Sequence, residues 1–375
     1  MDLMECRKRL DEIDQEIVRL FEERMSVCKQ VAEDKIRSGK AVYDGKREKQ
    51  KLLAVQELAH GAFNKDAVRE VFAQLMTISR RYQYGLLAEH GKFGTTGFTE
   101  VEEIKKDGVR VVFQGVEGAY SHAAARKFFG PETAVYHVPE FEDTMREVES
   151  GRADYAVLPI ENSTAGFVIN NYDLLSKYSN YIVGEVYVPV EHVLLGCPDA
   201  KLSDIKTVYS HPQALMQCSD YLNARKDWSQ ISVLNTAAAA KKVMEEKDKS
   251  QAAIASHTAG ELYGLKELAC GINNAKGNTT RFLVLANRPV YGKHASKISV
   301  TFEIPHISGS LYNILGNFIF NGVNMVMIES RPIPEKTFEY RFFVDIEGNL
   351  SDASVQNALN GLKEEASFMR ILGNY

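Results

Sequence analysis

Cysteine is scarce in this sequence and badly placed for cross-linking. Five residues of 375 are Cys (Cys6, Cys28, Cys197, Cys218 and Cys270), an odd number, widely spaced, with no CxxC pair and no Cys/His cluster at metal spacing. That excludes a disulfide framework and leaves reduced thiols and no structural metal as the expectation. Long apolar runs are missing as well. No stretch approaches the ~18 residues of a membrane helix, and the opening Met1-Asp2-Leu3-Met4-Glu5-Cys6-Arg7 alternates charge with apolar side chains where a secretory signal needs a continuous apolar core. A cytoplasmic location with no membrane partner is expected. Positive charge is not in excess: 45 Lys and Arg face 50 Asp and Glu, a net charge of -5, so the broad basic field that nucleic-acid binding needs is absent. No internal repeat and no low-complexity tract is found. What remains is a globular chain, long enough for about two or three domains, whose expected partner is a small molecule.

Residues 1–90 contain no proline, and their apolar residues recur at three- and four-residue steps, the helical period. Leu10, Ile13, Ile17, Leu20, Val27 and Val31 form a heptad-like stripe on a first helix. A second helix starts near Asp44, and a third runs through Val68, Phe72, Leu75 and Ile78. Three such helices bury little alone, which favours a dimer of intertwined helices. The Gly/Thr-rich stretch Gly91-Lys92-Phe93-Gly94-Thr95-Thr96-Gly97 opens a linker, taken as 91–108.

From Val109 short apolar runs alternate with helices: Val109 to Phe113, Tyr155 to Ile160, Val186 to Leu195, Thr207 to Tyr209, Ala252 to Ala255 and Arg281 to Leu285. This pattern predicts an α/β domain over 109–290. A last unit, 297–375, reads strand, helix, strand, strand, helix, strand, with strands near Ile298 to Ile304, Asn324 to Glu329, Glu339 to Ile346 and Phe368 to Leu372, an α+β, ferredoxin-like order.

One charged residue stands out in the helical segment. Arg24 holds the stripe position between Leu20 and Val27, where an apolar side chain is expected. Lys35, eleven residues on, lies only ~20° from it around the helix at about 100° per residue, so the two cations share a face. Arg7 lies ~100° away and suits a second site. On the second helix Asp44, Arg47 and Glu48 cluster in the first turn, and Glu48 leads Leu52 and Val55. On the third, Ser79 and Gln83 follow Phe72 and Leu75 along the inward stripe. Individually each is more often a snorkelling cation or a satisfied core polar group; their joint occurrence points to an anion pocket, and the dominance of cations disfavours a metal.

The series Arg7, Arg24, Lys35, Asp44, Arg47, Glu48, Ser79 and Gln83 resembles the all-helical chorismate mutases position for position, apart from a connection one residue shorter before the third helix. The resemblance implies an intertwined dimer with Arg7 entering the other chain's pocket, Arg24 and Arg47 on the substrate carboxylates, Lys35 and Gln83 at the ether oxygen, and Glu48 at the hydroxyl. Gln83 is neutral where some relatives carry glutamate, so mutase turnover is not expected to require acid.

In the middle segment Gly115-Val116-Glu117-Gly118-Ala119-Tyr120-Ser121-His122 sets a Gly turn before a helix with Ser121 near its N-cap, a start that favours anions. It is not GxGxxG, so a nicotinamide site lacks its phosphate turn. The segments Pro159-Ile160-Glu161-Asn162-Ser163, Ser210-His211-Pro212-Gln213 with Gln217-Cys218, and Asn278-Thr279-Thr280-Arg281-Phe282 together resemble prephenate dehydratase across 109–288. That likeness implies two α/β lobes of the periplasmic-binding-protein type with Glu161, Asn162, Ser210, Gln217, Thr280 and Arg281 in the cleft. We assign Thr280 to the leaving hydroxyl and Arg281 to charge balance, with Glu161 as an alternative acid if burial raises its pKa. His211, before Pro212, reads as structural. No metal or other cofactor is implied.

In the last segment Gly309-Ser310-Leu311-Tyr312 opens a helix and Glu329-Ser330-Arg331-Pro332 ends a strand. They resemble the phenylalanine-binding motifs of the regulatory ACT domain, though Ser310 and Tyr312 depart from the usual Gly-Ala-Leu-Val. The resemblance implies phenylalanine as effector, bound between paired sensor domains of a homodimer or higher oligomer. A non-catalytic amino-acid sensor is the alternative, disfavoured by the inward cations. An arogenate dehydratase is another, and the sequence does not separate it from a prephenate dehydratase.

Overall fold

The computed structural model describes residues 2–90, 96–307, 309–334 and 336–375; the expected linker residues Gly91 to Thr95 lie outside the described residues. Two compact units form, one from Met1–Thr96 with Val300–Ile371, the other from Gly97–Ser299 with Leu372–Tyr375.

The first unit opens with α1 (Leu3–Ser38), α2 (Gly45–Leu58) and α3 (Ala62–Glu89). Helix α1 begins at a capping box, in which the Glu5 N–H donates to Asp2 Oδ1 (2.8 Å) and the Asp2 N–H to Glu5 Oε2 (3.0 Å), and it ends at Gly39 with φ +69°. Its 36 residues span ~54 Å, yet only Ala32 is buried. The predicted stripe is bare in the single chain: Leu10 and Ile17 are each 57% exposed. Helix α2 starts where Asp44 caps it, accepting from the Arg47 N–H (2.9 Å).

In the second unit the stretch expected as linker holds β1 (Thr99–Val101), and the chain continues through β2 (Arg110–Gln114), α4 (Tyr120–Phe129), β3 (Ala134–Val138), α5 (Phe141–Glu149), β4 (Tyr155–Asn162), β5 (Gly166–Phe167), α6 (Ile169–Lys177) and β6 (Tyr181–Pro189). A second lobe follows: β7 (Val193–Gly196), β8 (Thr207–Ser210), α7 (Pro212–Gln217), α8 (Ser219–Asn223), β9 (Ser229–Ser232), α9 (Thr236–Glu246), β10 (Gln251–Ala255), α10 (His257–Tyr263) and β11 (Lys266–Ala269). The chain then returns to the first lobe as β12 (Thr279–Ala286) and β13 (Val290–Gly292), which pairs with β1.

The first lobe's sheet runs β6-β12-β4-β2-β3 and the second lobe's β11-β7-β10-β8-β9. Strands β4 and β12 are central, which is why they read as near-continuous apolar runs. Helix α4 lays Ala124, Ala125 and Phe129 on Val111, Val157, Phe282 and Val284. The second sheet is covered on one face by Ala239, Ala240 and Val243 and on the other by Leu215, Cys218 and Leu222. The run Val186 to Leu195, expected as one strand, is two, because Val190-Glu191-His192 carries the chain between lobes. The two crossing segments are tied: the Val190 N–H donates to the Asn278 carbonyl (2.8 Å), Asn273 Nδ2 to the Val190 carbonyl (3.0 Å), and the His192 N–H to Asn273 Oδ1 (2.8 Å).

The last segment runs β14 (Lys297–Glu303), α11 (Ser310–Ile319), β15 (Met325–Pro332), β16 (Tyr340–Glu347), α12 (Ala353–Glu365) and β17 (Phe368–Asn374). The strand order is β15-β16-β14-β17, the βαββαβ arrangement expected. Within the first unit α12 packs on α3.

Candidate functional sites

In the helical segment α1 and α3 bring Arg24 against Ser79, one turn from Gln83. Arg24 Nη1 donates to Ser79 Oγ and to the Leu75 carbonyl (3.2 Å), so the guanidinium on α1 is held by α3. Ser79 and Gln83 are buried; Gln83 Nε2 donates to the Ser79 carbonyl (3.2 Å) while its Oε1 is buried without a partner. Lys35 Nζ donates to the Val42 carbonyl (2.6 Å), and burial pulls its pKa below the ordinary lysine range despite the Asp44 and Glu364 carboxylates nearby. Asp44 is spent on its cap, Arg47 is exposed, and Arg7 is exposed a long way down α1.

The sequence reading missed Arg80. It is 9% exposed, bonded through Nη1 to Glu48 and through Nη2 to Glu365 of α12 (2.9 Å) and Thr77 Oγ1 (3.1 Å), and it lies 5.2 Å over the Tyr43 ring. Burial lowers its pKa, but the Glu48 and Glu365 carboxylates outweigh that and raise it. The Tyr84 hydroxyl donates to Glu364, and burial pushes the Glu364 and Glu365 carboxyls above the usual range. The signal was present: Arg80 sits four residues from both Met76 and Tyr84, on α3's buried side.

Between the two lobes of the second unit, β4 and β12 end side by side with Thr280 opposite Asn162 and Arg281 opposite Glu161. Successive side chains of a strand point to opposite faces, so these pairs separate. Asn162 Nδ2 donates to Thr280 Oγ1 (2.9 Å) and to Asn278 Oδ1 (2.8 Å); its Oδ1 accepts from Thr164 Oγ1 (2.8 Å) and the Thr164 and Ala165 N–H groups (3.1 and 2.9 Å). Gln217, from α7 of the other lobe, donates to Thr164 Oγ1 (3.2 Å), and its Oε1 lies 2.9 Å from His192 Nε2.

On the opposite face Arg281 is engaged by protein: Nε donates to Glu185 Oε2 (2.7 Å) and Nη2 to the Tyr375 hydroxyl (2.8 Å), with Glu161 3.9 Å away. The strand pleat thus removes Arg281 from the Thr280 side. The Glu161 side chain is 39% exposed, so the burial on which its role as an acid depended is missing. Ser210 is fully buried and donates to the Ile254 carbonyl (2.6 Å); its hydroxyl belongs to the second lobe's sheet. His211 caps α7, its Nδ1 accepting from the Gln213 N–H (3.2 Å). Ser121 is the second residue of α4, whose N-cap is Ala119. The preceding Gly118 has φ +86°, and a Cβ there would meet Ala259 at 3.2 Å, so the turn needs glycine twice over: for its backbone and for the approach of α10.

His192, Tyr120, Thr164 and Asn278 went unassigned at the sequence level. Thr164, two residues after Asn162, follows the Asx-turn spacing; His192 carried no local signal.

In the last segment Gly309 to Tyr312 line a cavity of about 550 Å³ with Ile304, Pro305, Glu339 and Phe342. Gly309 caps α11 with φ +83°. Glu329 to Pro332 do not line it; they lie along β15, with Pro332 opposite Tyr340.

Residues 6–84 match the family model of chorismate mutase type II, and residues 111–290 that of prephenate dehydratase. A bifunctional chorismate mutase/prephenate dehydratase of Neisseria gonorrhoeae is 34% identical over 374 residues, covering 100% of this chain and 96% of the relative. An arogenate dehydratase/prephenate dehydratase of Arabidopsis thaliana is 42% identical over 283 residues, 71% of this chain and 72% of the plant protein. Among solved structures, the Arthrobacter aurescens prephenate dehydratase in complex with L-Phe has a TM-score of 0.67 at 30% identity, covering 71% of this chain and 90% of that one.

Proposed function

This chain belongs to the bifunctional chorismate mutase/prephenate dehydratases, and on that premise we propose which of its residues carry each reaction. The mutase step is a pericyclic rearrangement, needing no nucleophile and no proton transfer. What the protein supplies is a compact substrate conformer and positive charge where the breaking C–O bond leaves negative charge. Arg24 and Arg47 bind the two carboxylates, Lys35 and Gln83 face the ether oxygen, Glu48 takes the hydroxyl, and Arg7 enters from a second copy along α1. Asp44 and Ser79 act in support, as helix cap and as tether for Arg24. The observation that carries this is Arg24 of α1 donating to the buried Ser79 of α3, one turn before the buried Gln83. Because the cation Lys35 is lowered and Gln83 is neutral, mutase kcat/KM should be flat through acid and neutral pH. It should fall on the alkaline side, beginning below the ordinary lysine range; a profile confined to acid would overturn the assignment.

In the dehydratase step the C1–carboxylate bond of prephenate breaks, its electron pair enters the ring, and the C4–oxygen bond breaks to release the hydroxyl, which leaves as water once protonated. Thr280 is the hydrogen-bond donor to that hydroxyl. One observation carries this: Thr280 Oγ1 accepts from Asn162 Nδ2, and among the described residues its own hydrogen reaches no protein acceptor. The buried Asn278 Nδ2, without a partner, and the start of α4 at Ser121 supply further donors to the substrate's carboxylates. Thr280→Ala should lower dehydratase kcat by about 10²- to 10⁴-fold with mutase turnover intact; unchanged dehydratase turnover would sink the role.

Phenylalanine binds at the cavity beside Gly309 to Tyr312, completed by Glu329 to Pro332 of a paired sensor domain of the ACT type, and shifts the dimer toward a less active arrangement. The L-Phe complex of the Arthrobacter aurescens relative supports this. The Arabidopsis relative's name favours arogenate as a second substrate; turnover with each substrate separates the two. Pure protein given chorismate alone should accumulate phenylpyruvate.

A further inference from the structure

Six side chains in the second unit are joined end to end. Gln217 Oε1 accepts from His192 Nε2 (2.9 Å), which places the ring hydrogen on Nε2. The ring is 1% exposed and burial lowers its pKa, so the imidazole is neutral and Nδ1 is an acceptor. The Tyr120 hydroxyl lies 3.2 Å from Nδ1 and 3.0 Å from the Glu191 carbonyl; its one hydrogen serves both. From His192 every step donates in the same sense: Gln217 Nε2 to Thr164 Oγ1 (3.2 Å), Thr164 Oγ1 to Asn162 Oδ1 (2.8 Å), Asn162 Nδ2 to Thr280 Oγ1 (2.9 Å).

The chain is also spatially composite. Asn162, Thr164 and Thr280 belong to the first lobe, Gln217 to the second, and His192 to the segment that crosses between them. We propose that Tyr120, His192 and Thr164 are positioning residues of the dehydratase, forming with Gln217 and Asn162 a one-way hydrogen-bond relay that aims the Thr280 hydroxyl hydrogen at the substrate and closes only when the lobes meet. It rests on the reading of Thr280 as the donor. Two effects follow. Filling Thr280 Oγ1 as an acceptor leaves its hydrogen one useful direction, and aligned hydrogen bonds polarise one another, strengthening the terminal donor. The histidine does not titrate in this scheme; it fixes the Gln217 amide, which would otherwise be free to present its NH₂ to the ring.

The test uses the full chain, with the thermal melt of the second unit read in the same sample to report on folding. His192→Phe keeps the ring volume and removes the Nε2–H. Dehydratase kcat should fall about 10- to 100-fold with KM within about threefold. His192→Gln, which returns an N–H near the Nε2 position, should restore kcat to within about threefold of the parent, since the proposal requires only the donor. Thr164 is exposed, so Thr164→Val breaks the relay without disturbing a core; it should lower kcat similarly, with Thr164→Ser recovering. The double variant His192→Phe/Thr164→Val should be no worse than the poorer single one, as for links of one chain. If His192→Phe misfolds, the Thr164 pair decides. Unchanged kcat in His192→Phe or Thr164→Val, parallel loss of kcat and KM with no rescue, or additive losses would each overturn the relay. Thr280→Ala separates the layers: if it is inactive while His192→Phe is normal, only the relay fails; if it is fully active, the donor assignment itself fails.

Discussion

Arg80 holds two carboxylates from opposite ends of the chain, Glu48 of α2 and Glu365 of α12. Removing one partner of a buried ion pair is worth far more than the pair's net contribution, because the remaining charge is stranded. Arg80→Met should therefore destabilise the first unit by about 3–5 kcal/mol, with Arg80→Lys recovering part, read by urea unfolding. The sign with pH follows from burial, which already holds Glu364 and Glu365 above the usual range. Acid protonates them, so the penalty of Arg80→Met should shrink near pH 5 relative to pH 7.5. Residues of this kind bound what a sequence discloses. Arg24, Ser79 and Gln83 were legible because a polar side chain at a helical core position is conspicuous. Arg80 was not, since Arg is usual on a helix and its partners lie 32 and 285 positions away. Arg281 misled for a converse reason: beside Thr280 in sequence, it faces the other way in a pleated strand and meets Glu185.

Elements were legible where periodicity was strong. The three helices, the buried strands β2, β4, β10 and β12, and the βαββαβ order all follow from apolar spacing. Strand β9, Ser-Gln-Ile-Ser and wholly exposed, has no such pattern and went unread, as did the short pair β1 and β13. The least self-sufficient element is α1: a 36-residue helix with a single buried residue draws little stability from this chain's packing. On the proposed pairing of two copies along α1, a charge in its stripe, Ile17→Glu, should abolish association and take mutase activity with it. Sedimentation should show the dissociated species, and the same sample should retain dehydratase turnover. At the start of α11, Gly309 has φ +83°, which a Cβ resists. Gly309→Ala should weaken phenylalanine binding about tenfold by calorimetry, with catalysis in its absence unchanged.

For the whole molecule, pH acts through buried rings. Burial lowers the pKa of His122, His192 and His211, whereas unfolded histidine titrates near ~6.5. Below that value the unfolded chain takes up protons that the folded one refuses, so stability is present at neutral pH and lost as pH falls through ~6.5 and below. The thermal midpoint of the second unit should drop by several degrees, on the order of 4–8 °C per kcal/mol for a small domain and less for a larger one, between pH 7.5 and 5.5, and His192→Gln should flatten that slope.

The pairing of α12 with α3 also fixes a schedule for biogenesis. Helix α3 is translated early, but Glu364 and Glu365 emerge only after some 275 further residues, roughly 15–55 s later at ribosomal speeds of ~5–20 residues per second. Until then Arg80 has only Glu48, and Tyr84 waits without Glu364. A ribosome that stalls in the middle segment would leave a polypeptide whose helical segment, though already made, is unfinished.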